Sequence, residues 1–294
     1  MAPSWPMTSL PQAKSFNWTN LGLRTASAAV LIPAVVAAVF LDLDWPYLVL
    51  VSVGVALLAI EWGGMSAPRA PIRVSAAVTA AILACVFLGH QDHFVLAWAA
   101  MGVGALAAAL VARGVAERPA DAAYGVFYIA PAGICLIWLR STNQGEWWTL
   151  MLFLVTWSAD IGAFAVGSLL KGPKLWPRFS PNKTWSGFIG GLICASLVGV
   201  LVATPFKLDI DVPRAFMPVF QLNVGAAALI GLAVGLATMA GDLWESALKR
   251  RFGVKDSGDL IPGHGGLLDR VDGLMFAVVV MAIARLANHL GWGH

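Results

Sequence analysis

The chain has 294 residues, 59% of them hydrophobic, with a mean hydropathy of +0.77. Only 12% are charged, about half the share of a soluble domain, which excludes an ordinary water-soluble enzyme. The net charge of +3 is small, so its placement says more than its sum, and no nucleic-acid partner is expected.

Residues 1–24 read as a polar N-terminal tail containing Pro3, Pro6 and Pro11. Apolar runs then follow at about 25–41, 46–62, 74–90, 94–112, 122–139, 147–170, 186–204, 220–241 and 271–290. A bilayer needs roughly 20 apolar residues per helical span, so these predict about nine transmembrane helices. Backbone groups in hydrocarbon must bond within their own helix, so the predicted class is all-α, a polytopic integral membrane protein. The N-terminal transmembrane helices occupy 25–140. The region 141–294 holds the remaining spans and two polar loops, 171–185 and 241–272. With the N-terminus cytoplasmic, all but four of the 19 Lys and Arg (Arg140, Lys207, Arg214 and Arg285) fall on the inner side, as the positive-inside rule requires. That orientation puts both polar loops in the cytoplasm.

Cys85, Cys135 and Cys194 each lie in an apolar run without metal-ligand spacing, so they read as small buried side chains. Gly187-x-x-Gly190-Gly191 and Gly231-x-x-x-Gly235 hint at close helix packing. Glu61, at the end of the second run, is a lesser candidate, because an acid there is more often solvated.

Three places carry candidate chemistry. Asp160 lies inside the sixth run, and an intramembrane acid is a functional candidate by default. The segment Phe179-Ser180-Pro181-Asn182-Lys183-Thr184-Trp185-Ser186-Gly187 is a polar hook opening the seventh span. There Thr184 can cap the helix, while Ser180 and Lys183 present a hydroxyl and an ammonium near its positive end, a ready anion site. An ordinary capped helix start competes with that reading.

The third place is Gly241 to Asp272, dense in both charge signs between two apolar runs. Asp242, Glu245 and Lys249 recur at i, i+3 and i+7, on one face of a helix that continues out of the membrane. Gly253 is its expected stop. Gly258, Pro262, Gly263, Gly265 and Gly266 mark a loop. Asp269 and Asp272 then share a face at the next helix entrance. The chemistry this pattern suits is polyphosphate handling with a divalent metal. Carboxylates from two helix ends, Asp242 and Asp269, can share one hard cation, and Mg²⁺ takes only one or two protein carboxylates. Lys249, Arg250, Lys255 and Arg270 supply positive charge for phosphate oxygens, and a Gly-rich backbone can approach them closely. A solvated basic loop would explain the cations but not their alternation with acids and glycines.

Ser246-x-Leu248-Lys249-Arg250, then Lys255-Asp256-x-Gly258, then Pro262-x-His264-Gly265-Gly266-x-x-Asp269-Arg270-x-Asp272 resembles the signature of the phosphatidate cytidylyltransferases, or CDP-diacylglycerol synthases. The hook is similar to that family's Ser-Pro-x-Lys-Thr-x-Glu-Gly motif but has Ser186 where Glu is usual. Asp160 resembles the acid of a conserved Asp-Thr-x-Ala-Tyr-like segment, and Ser168 stands where Arg often follows Gly. Strong motifs cover about 150–290.

The resemblance implies transfer of a cytidylyl group from CTP to phosphatidate, giving CDP-diacylglycerol and pyrophosphate. It makes 141–294 the catalytic region. Asp242, Asp269, Lys249 and Lys255 become the expected catalytic residues. Ser180, Lys183, Thr184, Arg250, His264, Gly265, Gly266 and Arg270 become substrate-binding ones. Asp242, Asp269, Asp272 and Asp160 are the expected ligands for Mg²⁺, with or without a second cation. A homodimer in the cell inner (cytoplasmic) membrane follows from the resemblance alone. The rivals are a CTP-using lipid kinase and an ion-coupled transporter. The kinase lacks a reason for the full charged motif, and the transporter predicts broken helices in two halves. Gly167 to Gly172 has the spacing of a nucleotide-binding Gly loop, but Pro173 stands where its Lys belongs.

Overall fold

The computed structural model describes residues 18–203, 222–260 and 265–292, with side chains from residue 29 onward. Residues 1–17 of the tail, Pro262, His264, Lys207 and Arg214 lie outside the described residues.

Nine helices follow one another among the described residues. They are α1 (Trp18–Phe40), α2 (Asp44–Ser66), α3 (Pro71–His90), α4 (Phe94–Ala112), α5 (Pro119–Ser141), α6 (Gly145–Leu170), α7 (Trp185–Ala203), α8 (Val224–Arg251) and α9 (Leu268–His289). Eight of these, α2 to α9, are long and apolar enough to cross a membrane; α1 contributes an apolar stretch, Ala29–Phe40. The protein is a polytopic, helical membrane protein. Each apolar run became one helix. The first starts at Trp18, inside the stretch assigned to the tail.

Local sequence explains the helix ends. Pro71 and Pro119 open α3 and α5, where a missing N–H costs nothing. Asn223 caps α8, its side chain accepting from Ala226 N at 2.7 Å. At the other end of α8, Val254 N bonds Lys249 O at 2.9 Å and Gly253 N bonds Arg250 O at 3.2 Å. Gly253 has φ +75°, so this is a left-handed helix stop that suits glycine.

The polar hook is a two-stranded antiparallel hairpin, β1 (Lys174–Trp176) and β2 (Ser180–Thr184). It is the one sheet among the described residues. Its exposed edges are tolerable because the hook lies between spans, where water satisfies strand edges that hydrocarbon would not.

Helices α2 to α5 form an interlocked group, with α3 packed against α2, α4 and α5, while α1 rests lightly on α2 and α6. Then α6, α7, α8 and α9 pack in succession, and α9 returns to touch α5 and α6. The helix ends that the alternation of spans assigns to one side do meet. At one end Arg140 donates to Val39 O at 2.6 Å and Leu41 O at 2.9 Å, and Arg285 donates to Asn143 O at 3.0 Å. At the other end Glu61, Asp121, Lys183, Asp242, Arg251 and Asp269 come together through the contacts described below.

Candidate active site

Backbone proximity builds the site. On α7 the buried positions are only glycine and alanine: Gly187, Gly190, Gly191, Ala195, Gly199 and Ala203. A Cβ on Gly191 would stand 2.6 Å from Ala159 O, and one on Gly187 would stand 2.7 Å from Ala163 O. Helices α6 and α7 therefore touch backbone to backbone beside Asp160. The glycine pairs read from the sequence do pack this way, since a Cβ on Gly231 would stand 2.5 Å from Ala195 O. At the far side a Cβ on Gly241 would stand 2.5 Å from Asp272 O, and one on Gly273 would stand 2.9 Å from Thr238 O. That crossing of α8 and α9 sets Asp242 beside Asp272.

Between these helices and the hairpin lies a pocket of about 690 Å³. Asp160, Lys183, Thr184, Asp242, Asp269, Arg270 and Asp272 line it, with apolar walls from Phe164, Phe188 and Met239. Seven of the expected residues are thus brought to one space. Thr184 caps α7, accepting from Gly187 N at 3.2 Å, and also contacts Ser186 Oγ at 3.1 Å. Ser186, which stands where Glu is usual in the motif, donates to Lys171 O and ties the start of α7 to the end of α6. Lys183 is ion-paired with Asp242.

Lys249 does not line the pocket. It sits between two carboxylates, 2.6 Å from Glu245 Oε2 and 2.5 Å from Asp269 Oδ1. Glu245 is 1% exposed, and neither of its oxygens makes an aligned hydrogen bond. Removing the cation from such a buried arrangement costs about 3–5 kcal/mol, because it strands a charge. Asp269 is held a second time, by Ser257 N at 3.1 Å. Lys249 therefore fixes Asp269 in this arrangement.

Ser180, Arg250 and Lys255 also lie outside the pocket lining. Arg250 is exposed and donates to Val254 O at 3.3 Å, while Lys255 is exposed. Gly265 has φ +85°, a conformation that suits glycine, and stands near Asp269. Gly266 is packed against Ser257 and Glu61. His264 lies outside the described residues.

The sequence reading gave no site role to several residues and held Glu61 only as a lesser candidate, of a kind more often solvated. Ser168 and Asn182 line the pocket. Glu61 is 4% exposed and anchors the loop before α9, and Asp121 is ion-paired with Arg251. Asp121 also accepts, at its carbonyl, from Trp62 Nε1 at 2.9 Å. An acid beside Trp-Gly-Gly at a span end was the available signal for Glu61. Its partners are some two hundred residues away, and the periodicity of α2 gives no hint of them.

Among the described residues, no three His, Cys, Asp or Glu side chains converge closely enough to hold a metal by themselves. The donor set still fits Mg²⁺. Four carboxylates line one pocket, all hard oxygen donors, and this ion completes its shell with water and phosphate oxygens.

Fold and pocket together define a membrane-embedded helical protein whose acids and cations gather at one end of the bundle. Comparison with known proteins gives the family. Residues 22–287 match the model of the Cytidylyltransferase family. A phosphatidate cytidylyltransferase of Brucella suis is 36% identical over 269 residues, 90% of this chain and 92% of that protein. One of Staphylococcus haemolyticus is 42% identical over 164 residues, 55% of this chain and 58% of that protein. The chain belongs to the cytidylyltransferase family, among the phosphatidate cytidylyltransferases, nucleotidyltransferases of phospholipid synthesis.

Proposed function

We propose that a phosphate oxygen of phosphatidate attacks the α-phosphorus of CTP in this pocket. The O–P bond to the nucleotide forms, the bond to the β-phosphate breaks, and pyrophosphate leaves with its electron pair. The product is CDP-diacylglycerol. The observation that carries this reading is the convergence of Asp160, Asp242, Asp269 and Asp272 with Lys183 and Arg270 on one pocket.

The nucleophile is already anionic near neutral pH, so no side chain has to remove a proton. The work left to the protein is positioning and charge neutralisation. Lys183 and Arg270 face the phosphates, and Thr184 keeps Lys183 at the mouth of α7, where the helix end favours anions. Asp242 and Asp269 would hold the metal, with Asp272 and Asp160 as further donors and Lys249 fixing Asp269. Bound there, Mg²⁺ supplies the charge that neutralises the α-phosphate and the leaving pyrophosphate. Arg250 and Lys255 belong to the cytoplasmic rim that receives the nucleotide. A two-chain lipid stays in the bilayer, so its headgroup enters sideways. The charged end faces the cytoplasm, in the cell inner membrane, and the working form is a homodimer.

The test uses purified protein in detergent with phosphatidate, α-labelled CTP and Mg²⁺, with Asp269→Asn alongside. Label in the extracted lipid, dependent on metal and lost in the variant, is the expected result. Full labelling by Asp269→Asn would remove that carboxylate from the site.

A further inference from the structure

Glu61 belongs to α2, in the half of the chain that the charged motifs do not reach. Its carboxylate is nonetheless buried against the loop that leads into α9. It accepts from Leu267 N at 2.7 Å, Leu268 N at 2.8 Å and Ser257 Oγ at 3.0 Å. Those two amides belong to the first turn of α9, which has no side-chain cap of its own. Glu61 supplies that cap from another helix, and its negative charge suits the positive end of α9.

The loop is shaped to admit it. A Cβ on Gly258 would stand 3.1 Å from Glu61 Oε1, and one on Gly266 would stand 3.0 Å from Glu61 Oε2 and 1.8 Å from Ser257 Oγ. Two glycines of the charged motif are therefore small because this carboxylate lies against them. Ser257 carries the connection onward: its hydroxyl meets Glu61 while its N–H meets Asp269 Oδ2 at 3.1 Å. Glu61 does not line the pocket. It touches the residue that orients Asp269 and the helix turn from which Asp269 and Arg270 project.

We propose that Glu61 is a positioning residue for cytidylyl transfer, acting through Ser257 and the first turn of α9 to set the carboxylate of Asp269. The role rests on the reading of Asp269 as part of the catalytic site. A buried carboxylate with three donors is costly to remove, because each donor is left unsatisfied. Here the loss falls on the loop and on Asp269, so turnover should suffer more than lipid binding.

The variants are Glu61→Gln, Glu61→Asp and Ser257→Ala, in full-length protein purified in detergent, assayed with CTP, phosphatidate and Mg²⁺. Glu61→Gln should lower kcat about tenfold or more, as displaced catalytic groups do, with KM for phosphatidate within about twofold. Its half-saturating Mg²⁺ concentration should rise several-fold, and Glu61→Asp should recover part of kcat. Hydrogen exchange should quicken at Ser257, Leu267 and Leu268 and stay unchanged in α3. Should Glu61→Gln yield no folded protein, Ser257→Ala carries the test, with the same direction in kcat and Mg²⁺ dependence. Parental kcat and Mg²⁺ dependence in folded Glu61→Gln would overturn the proposal. So would exchange that quickens equally in every helix with kcat per folded molecule unchanged. A parent that makes no CDP-diacylglycerol would defeat the underlying reading, and this role with it, while the exchange pattern would separately report whether Glu61 holds the loop.

Discussion

Helices α5 and α7 solve the same packing problem in opposite ways. Buried positions on α5 include Val126, Ile129, Ile134, Ile137 and Leu139, and the side chains of Trp62 and Val86 from neighbouring helices lodge against its Gly125 and Gly133. On α7 the buried positions are glycine and alanine alone. Large side chains fill space and hold α2 to α5 together by shape. Small residues let backbones touch, so α6, α7, α8 and α9 approach closely enough for side chains at their ends to share one pocket. The first half of the molecule is a scaffold, and the second is a device for bringing charge together. Glu61 and the Asp121–Arg251 pair tie the two at the charged end.

The comparison can be broken or sharpened by substitution, from the largest expected loss of turnover to none. Asp269→Asn should reduce cytidylyl transfer about 100-fold or more while the protein stays folded, since it removes charge from the reacting site. Gly191→Val drives a side chain into Ala159 O and Met239. Overpacking of this kind costs about 3 kcal/mol, so melting temperature and turnover should fall together. Thr184→Ala removes the α7 cap, worth about 1 kcal/mol, and should lower activity several-fold by loosening Lys183. Ile129→Ala leaves a cavity at a site with 0% exposure, costing about 2–4 kcal/mol. Its melting temperature should drop, yet kcat per folded molecule should match the parent. A turnover loss in Ile129→Ala as deep as that in Gly191→Val would erase the distinction between scaffold and site.

The spans were legible because apolar length is a local property, and each run became one helix. The site was legible where helix periodicity and helix ends govern it. Asp242 lies on the exit face of α8, Asp269 and Asp272 at the entrance of α9, and Thr184 at the cap of α7. The hairpin was read only as a hook, because its pairing depends on Lys174 and Thr184 meeting across a turn. Lys249 was read as a phosphate contact. Its sequence position gives the helix face but not the arrival of Asp269 from α9, which makes it a link between two acids. Asp121 was hidden for the same reason, and Glu61 was named only as a lesser candidate for the same reason. Their partners lie far along the chain, and only side chains of α2 and α5 reaching the charged ends of α8 and α9 join them.

The most direct test of the central claim is a pair of reactions with the purified protein, phosphatidate and Mg²⁺, one with CTP labelled at the α-phosphate and one at the γ-phosphate. The account predicts label in the lipid from the α-phosphate only, with the γ-label released as pyrophosphate. Label reaching the lipid from the γ-phosphate would mean phosphoryl transfer, and would contradict it.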